Sequence, residues 1–401
     1  MNNKSSLKYL KWVVFASLGF YNPMGLIDSK LQKLVMFILI LWGLYKSTFK
    51  NNINIQTCYP KYAYFLIIIG ICISTFMAAV FHDDQSPLIS FQASLTYLLP
   101  YLLFYILMKF QVPVEQVEKF LIFMGIVGIC VNFLNMLTAP HYLFGISKEN
   151  ADLSRGVVRV RTTIIYICFL FFYSIPKYQQ LRSKKWLFLL ILSYLFIILW
   201  VARQYILFAT ILGFFLYMKR LTFMKKIIFG IAFWGASYVV VNEVPIISNL
   251  IQESYEQKEK NDEGDGDVRV LAYDFYCNEY QTNTVTRFLG NGIPSIGNSL
   301  WGDSYETIIR YRGTLAADIG WGGFYFYFGV FATLGLAIMF IKSIYINKKD
   351  RFKYLNYLLC LYFLTSFAGD TIISMEGITA LMIFMYIIWA PNSSCNYSAP
   401  L

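Results

Sequence analysis

The residues of this chain with the clearest chemical potential are arginines that interrupt or follow long apolar stretches. Arg203 separates two apolar runs and has no acidic neighbour in the sequence. An isolated charge in such a position is a functional candidate, because its burial in hydrocarbon is costly. The guanidinium group is a planar fork of donors that matches phosphate and carboxylate oxygens. The pattern therefore points to binding of an anion.

A second arginine, Arg269, lies near the start of a predicted helix. Asp267 is a suitable N-cap for a helix from 268 to about 281, because its side-chain oxygen can accept from the first free amides. Helical spacing places one guanidinium and three phenol rings on a single stripe: Arg269, Tyr273, Tyr276 and Tyr280. Such a stripe suits a glycosyl phosphate, with rings stacked on sugars. The alternative is an interfacial belt of tyrosines packed on the membrane surface.

The elements that must position these residues are membrane helices. Hydrophobic residues make up 57% of the chain and aromatic residues 19%, which excludes a soluble globular protein. About twelve apolar runs could cross a hydrocarbon core of roughly 30 Å as helices. They span 7–21, 31–45, 62–81, 88–110, 117–138, 158–176, 186–202, 204–218, 226–241, 319–341, 354–372 and 376–390. The sequence therefore predicts an all-α polytopic membrane protein.

The predicted helices fall into two groups around a long external loop. Residues 1–241 hold the first nine helices, and residues 319–401 hold the last three and a cytoplasmic C-terminus. Residues 242–318 form a large, partly helical loop with amphipathic segments. Long ordered insertions on one face of a bundle usually carry function. We therefore expect the chemistry at this loop.

The distribution of basic residues orients the helices. With the N-terminus inside, the cytoplasmic positions hold 18 lysines and three arginines, whereas the outer positions hold five lysines and eight arginines. Both termini are then cytoplasmic. The outer arginines are candidate ligands for an anionic substrate: Arg155, Arg159, Arg161, Arg203, Arg269, Arg287, Arg310 and Arg312. The alternative is that these side chains snorkel and pair with lipid phosphates.

The net charge and the acidic residues indicate which kinds of molecule the protein binds. Most of the net charge of +11 comes from the cytoplasmic lysines, so it indicates contact with anionic membrane lipids and excludes nucleic acid. The acidic turn at 262–267 lacks the spacing of an EF-hand calcium loop. The sequence predicts no metal site and no cofactor.

Asp318 is the predicted catalytic acid-base residue. It lies where the external loop re-enters the membrane, and a carboxylate in apolar surroundings can take the proton of a hydroxyl. A charge at a helix end requires a partner, for which Arg310 and Arg312 are the nearest candidates. The alternative is that Asp318 caps the tenth helix.

The order of these parts resembles the Wzy-type O-antigen and capsular polysaccharide polymerases, a family related to the O-antigen ligases. The resemblance rests on Arg203, the Arg-bearing helix at 267–280, the turn Leu289-Gly290-Asn291-Gly292, and the segments Ala317-Asp318-Ile319-Gly320-Trp321 and Tyr327-Phe328-Gly329-Val330. The ligases usually read His-Asn before the final helix group, where this chain has Asp318 and Ile319. That departure favours the polymerase branch.

The resemblance implies a metal-independent membrane glycosyltransferase in the bacterial cytoplasmic membrane, with its active site on the outer face. Its substrates would be two oligosaccharide repeat units on undecaprenyl diphosphate, a donor and an acceptor. Arg203, Arg269 and Asp318 would be catalytic. A flippase and a chain-length regulator would be its protein partners. The alternatives are an O-antigen ligase and a lipid-linked oligosaccharide flippase, although the unequal halves and long loop disfavour a transporter.

Overall fold

In a computed structural model, the described residues are 3–49, 59–82, 84–139, 141, 143–145, 164–200, 202–219, 221–227, 267–280, 283–346 and 352–390. Within these ranges the chain is all-helical, and its only β-type pairing is an isolated bridge between Pro23 and Phe144. The predicted all-α class is confirmed for this part of the chain.

In the described part of the chain, eight α-helices precede the segment at 242–318 that is predicted to be external. They are α1 (Asn3–Ser17), α2 (Ser29–Phe49), α3 (Lys61–Phe81), α4 (Pro87–Phe110), α5 (Val114–Thr138), α6 (Ile164–Leu181), α7 (Lys184–Leu199) and α8 (Arg203–Met218). Three short α-helices lie in the described parts of that predicted loop, 267–280 and 283–318, which are called the external segment below: α9 (Val268–Asp274), α10 (Thr284–Leu289) and α11 (Leu300–Arg312). The last three are α12 (Gly320–Tyr345), α13 (Lys353–Thr365) and α14 (Met375–Trp389).

A helix lies at each predicted membrane segment except 226–241, of which nearly all lies outside the described residues. The segment predicted at 354–372 is shorter, because α13 ends at Thr365 and a loop follows it. Four helices of the described chain are long and apolar enough to cross a membrane: Lys61–Phe81, Pro87–Phe110, Val114–Thr138 and Ala316–Tyr345. The exposed face of α3 carries Phe65, Ile69 and Phe76, as expected for contact with lipid.

Small residues bring the helix backbones close together. At the contact between α3 and α12, a Cβ on Gly70 would lie 2.8 Å from the backbone nitrogen of Ala332, and a Cβ on Gly335 would lie 2.6 Å from the carbonyl oxygen of Ala63. Close packing of small residues stabilises helix pairs in lipid, where burial of apolar surface alone gives no driving force. The α3–α12 pair is therefore a rigid centre of the bundle.

The turn Leu289-Gly290-Asn291-Gly292, called the glycine-rich turn below, packs against a break in α12. Gly329 has φ 74° and ψ −174°, which interrupts the helix. The amides of Asn291 and Gly292 donate to the carbonyl oxygens of Phe326 (3.0 Å) and Tyr327 (2.8 Å) that the break leaves available. Buried carbonyls need such partners. Two motifs that are remote in the sequence therefore form one structural unit.

A buried glutamine in the connection between α3 and α4 fastens the same turn. Gln85 is 1% exposed, donates to the carbonyl oxygen of Ile293 (2.8 Å) and accepts from the amide of Ser295 (2.9 Å) and the hydroxyl of Ser299 (3.0 Å). Of the predicted loop at 242–318, the described parts, 267–280 and 283–318, pack on the helix ends through such contacts. These contacts fasten the external segment to the helix bundle.

Candidate functional site

A cavity of about 540 Å³ lies where α6, α8, α9 and α14 begin. Its wall also includes the connection from α11 to α12 and the loop from α13 to α14. The lining residues are Ile164, Ile165, Trp200, Ala202, Arg203, Gln204, Tyr205, Asp267, Val268, Arg269, Ala272, Thr314, Leu315, Asp318, Ala368, Gly369, Asp370, Thr371, Ser374 and Glu376. Its size suits a pair of sugar rings or a diphosphate group rather than a single ion.

The cavity brings together the three residues predicted to be catalytic. Arg203, Arg269 and Asp318 all line it, although they belong to three separate segments of the chain. Arg203 is partly buried, whereas Arg269 and Asp318 are exposed at the cavity surface. Two guanidinium groups and a carboxyl group therefore line one cavity.

Arg203 is positioned by the first turn of α8, which is tied to the loop between α13 and α14. The Gln204 side-chain amide donates to the carbonyl oxygen of Ala368 (3.0 Å). The hydroxyl groups of Tyr205 and Thr371 share a hydrogen bond of 2.9 Å. Because these neighbours hold the helix start, the Arg203 side chain extends from a fixed backbone.

Arg269 is positioned by the predicted cap at the start of α9. The Asp267 carboxylate accepts from the backbone amide of Arg269 at 2.8 Å, so the predicted N-cap is confirmed. The helix is shorter than predicted, since α9 ends at Asp274 and continues as a π-helical turn from Phe275 to Glu279. The wider turn changes the register after Asp274.

The tyrosines of the predicted stripe hold the external segment in place, and none of the three lines the cavity. Tyr273 donates to the carbonyl oxygen of Phe367 (2.9 Å), and Tyr276 donates to that of Thr314 (2.9 Å). Tyr280 accepts from the Trp301 indole nitrogen at 2.9 Å. Burial raises the pKa of the Tyr276 hydroxyl, which keeps it protonated as a donor. These three rings are therefore not placed to stack on a sugar in the cavity.

Asp318 lies in a 3-10 turn, Ala316–Ile319, immediately before α12. The N-cap position of α12 is Ile319, with no side-chain cap, so the interpretation of Asp318 as the cap of this helix is wrong. Arg310 and Arg312 were the expected partners of Asp318, but each forms an ion pair with another residue. Arg310 contacts Glu306 at 2.6 Å, and Arg312 contacts Glu279 at 3.2 Å.

Three of the other predicted arginines, Arg287, Arg310 and Arg312, do not line the described cavity. Arg310 and Arg312 lie on α11 outside it, and Arg312 also covers the Phe275 ring at 4.1 Å. Arg287 is exposed and donates to the carbonyl oxygen of Asn278 at 3.2 Å. The predicted ligands Arg155, Arg159 and Arg161 lie outside the described residues.

Two acidic residues of the cavity wall, Asp370 and Glu376, were not among the predicted site residues. Asp370 falls inside the segment 354–372 that was predicted to be a continuous helix, whereas the structure places it in the loop after α13. Glu376 is in the first turn of α14. The signal that could have found them is an acid within or beside an apolar run, which is rare without a function.

The cavity wall is mixed in charge. Two arginines and four carboxylates, from Asp267, Asp318, Asp370 and Glu376, share it. Guanidinium groups bind phosphate oxygens, and carboxylates accept hydrogen bonds from hydroxyl groups. In the described part of the chain, no group of three or more His, Cys, Asp or Glu side chains is arranged to hold a metal ion. The wall therefore suits a ligand that carries both phosphate and hydroxyl groups.

The chain was compared with protein-family models, with curated proteins and with solved structures. None of the three comparisons gives a significant match.

Proposed function

We propose that this protein is a membrane glycosyltransferase that polymerises lipid-linked oligosaccharide repeat units, as its resemblance to the Wzy-type polymerases implies. The observation that carries the proposal is the convergence of Arg203, Arg269 and Asp318 on one cavity of about 540 Å³. The first two lie 66 residues apart in the sequence and the third lies 49 residues beyond Arg269. The sequence motifs alone did not require them to meet.

The two arginines would act on the leaving group. In the proposed reaction the bond between the anomeric carbon and undecaprenyl diphosphate breaks, and negative charge develops on the diphosphate. Guanidinium groups placed where that charge develops lower the barrier without a metal ion. A partly buried Arg203 beside an exposed Arg269 matches a ligand whose lipid end enters from the bundle and whose sugar end faces the external segment.

The carboxylates would act on the acceptor. A sugar hydroxyl is a weak nucleophile until its proton is removed, and a carboxylate in the cavity is the simplest base. Asp318 is available for this role, as are Asp370 and Glu376. The same groups can accept hydrogen bonds from neighbouring hydroxyls and so orient the acceptor.

The proposed site faces the outside of the bacterial cytoplasmic membrane in a topology of about twelve helices. Support comes from the direction of the helices that border the cavity. Helix α8 begins at Arg203 in the cavity wall and ends beside Lys219. Helix α12 begins just after Asp318, also in the cavity wall, and carries Lys342 in its last turn. Lysine marks the cytoplasmic ends, so the cavity lies at the opposite ends.

The test is the length of surface glycan after deletion of this gene in its own host. We expect single repeat units to accumulate in the deletion strain, and the wild-type gene to restore long polymer on undecaprenyl diphosphate. Glycan chains of normal length that fail to reach lipid A would identify a ligase instead. Lipid-linked units trapped on the cytoplasmic side would identify a flippase.

A further inference from the structure

We propose that Glu376 is the general base that removes the proton from the acceptor hydroxyl. This inference rests on the proposed glycosyl transfer and assigns one of its steps to a residue that the sequence motifs do not indicate. Glu376 lines the same cavity as Arg203 and Arg269 and stands in the first turn of α14.

The other three carboxylates are less suited to proton abstraction. The Asp267 carboxylate is engaged as the N-cap of α9, where it accepts from the amide of Arg269 at 2.8 Å. Asp318 and Asp370 are exposed, whereas Glu376 is partly buried. A carboxylate that is shielded from water accepts a proton more readily than an exposed one.

The backbone around Glu376 is held by hydrogen bonds and by burial of the helix that follows it. Ser374 caps α14 by accepting from the amide of Gly377, and the carbonyl oxygen of Gly377 accepts from the Tyr362 hydroxyl at 2.6 Å. From Gly377 to Trp389 every residue of α14 is buried. A base on such a helix keeps its position while substrates exchange, which general base catalysis requires.

The charged and titratable groups around Glu376 come from several elements. Asp370 faces it from the loop after α13, and Tyr166 and Tyr362 lie within electrostatic range on α6 and α13. Arg203 shares the cavity from α8. Among these groups, Asp370 is the other carboxyl group of the cavity wall.

One proton transfer, one new glycosidic bond and one broken bond to the diphosphate make up the proposed step. The acceptor hydroxyl transfers its proton to the Glu376 carboxylate while its oxygen forms a bond to the donor's anomeric carbon. The bond from that carbon to undecaprenyl diphosphate breaks, and its electron pair leaves on the diphosphate oxygen. Arg203 and Arg269 neutralise the new charge, and Glu376 later releases its proton to water.

The test is the kinetics of purified variants in proteoliposomes, with lipid-linked repeat units extracted from the deletion strain as the substrate. We expect Glu376→Gln to lower kcat by about 10²- to 10⁴-fold, the usual contribution of a general base. KM changes little, and the rise of rate with pH is lost. Asp318→Asn raises KM more than it lowers kcat, since its role would be to hold acceptor hydroxyls.

Two further variants separate catalysis from folding. Glu376→Ala should recover part of its activity when formate is added, because a small carboxylate can occupy the vacated space. Glu306→Gln, on α11 and outside the cavity, should behave like wild type. The proposal is overturned if wild type polymerises while Glu376→Gln retains kcat, if only KM rises, or if formate rescues nothing. Absence of polymer with wild-type protein would instead overturn the proposed function.

Discussion

Replacing Arg203 with alanine should lower kcat for polymer formation by about 10²- to 10³-fold, the usual cost of deleting one donor to a developing negative charge. The reason is its position in the cavity wall, where the partly buried guanidinium can contact the charge that develops on the leaving diphosphate. Arg203→Lys should recover only part of the loss, because an ammonium group cannot make two parallel contacts to a phosphate. Steady-state kinetics with lipid-linked repeat units measure the effect.

The matched control is Arg310→Ala. Arg310 is an arginine of the same external face, its side chain is 77% exposed, and it pairs with Glu306 on its own helix. Exposed pairs of this kind contribute little to stability, so this variant should polymerise at close to the wild-type rate. Equal effects of the two substitutions would show that outer arginines act through general electrostatics, and would remove the specific role of Arg203.

The largest effect on folding is expected from Gly329→Ala. With φ 74° and ψ −174°, Gly329 occupies a backbone region that is almost restricted to glycine. Its new Cβ would also lie 2.5 Å from the backbone nitrogen of Gly290. Conformational strain of about 1–3 kcal/mol and overpacking of about 1–3 kcal/mol add at this position. We expect loss of the folded protein in detergent, measured by monodispersity and Tm.

Gly297→Ala is the control for this substitution. Gly297 has a similar φ of 76°, but no heavy atom lies within 4 Å of its added Cβ. This variant should therefore lose only about 1 kcal/mol from backbone strain. If Gly329→Ala were as mild as Gly297→Ala, the junction between the glycine-rich turn and α12 would not be essential to the fold.

The helices were predictable because the apolar runs are long. Their ends were less predictable. The run at 354–372 is apolar throughout, yet α13 ends at Thr365, because the following loop is held by contacts from other elements. The backbone amide of Trp321 and the hydroxyl of Tyr273 both donate to that loop. A local pattern contains no information about such contacts.

The candidate site was predictable where a residue type was unusual for its place. Arg203 within apolar sequence and Arg269 after a capping aspartate both fall in the cavity wall. The predicted tyrosine stripe does not line the cavity, and the actual positions of its tyrosines were not predictable, because the π-helical turn changes the register after Asp274. The aromatic residues Tyr305 and Phe326 then draw Tyr276 into a buried cluster. Helical spacing alone assumes a regular helix that the packing does not allow.

The pairing of the glycine-rich turn with α12 could not be predicted from either motif. Gly290 and Gly329 are each compatible with a turn, and only their contact explains why both are needed. Glycine at such a position permits close approach of two backbones. The sequence indicates where the backbone is unrestricted, but tertiary packing determines which segment each glycine contacts.

The most direct test of the central claim is reconstitution of the purified protein with one class of substrate. Proteoliposomes would receive lipid-linked repeat units extracted from the deletion strain, and the products would be separated by gel and by mass spectrometry. We predict a ladder of polymer on undecaprenyl diphosphate, with one free undecaprenyl diphosphate released for each bond formed, and no ladder with the Arg203→Ala variant. Intact single units after incubation with folded wild-type protein would contradict the assignment of polymerase activity to this chain.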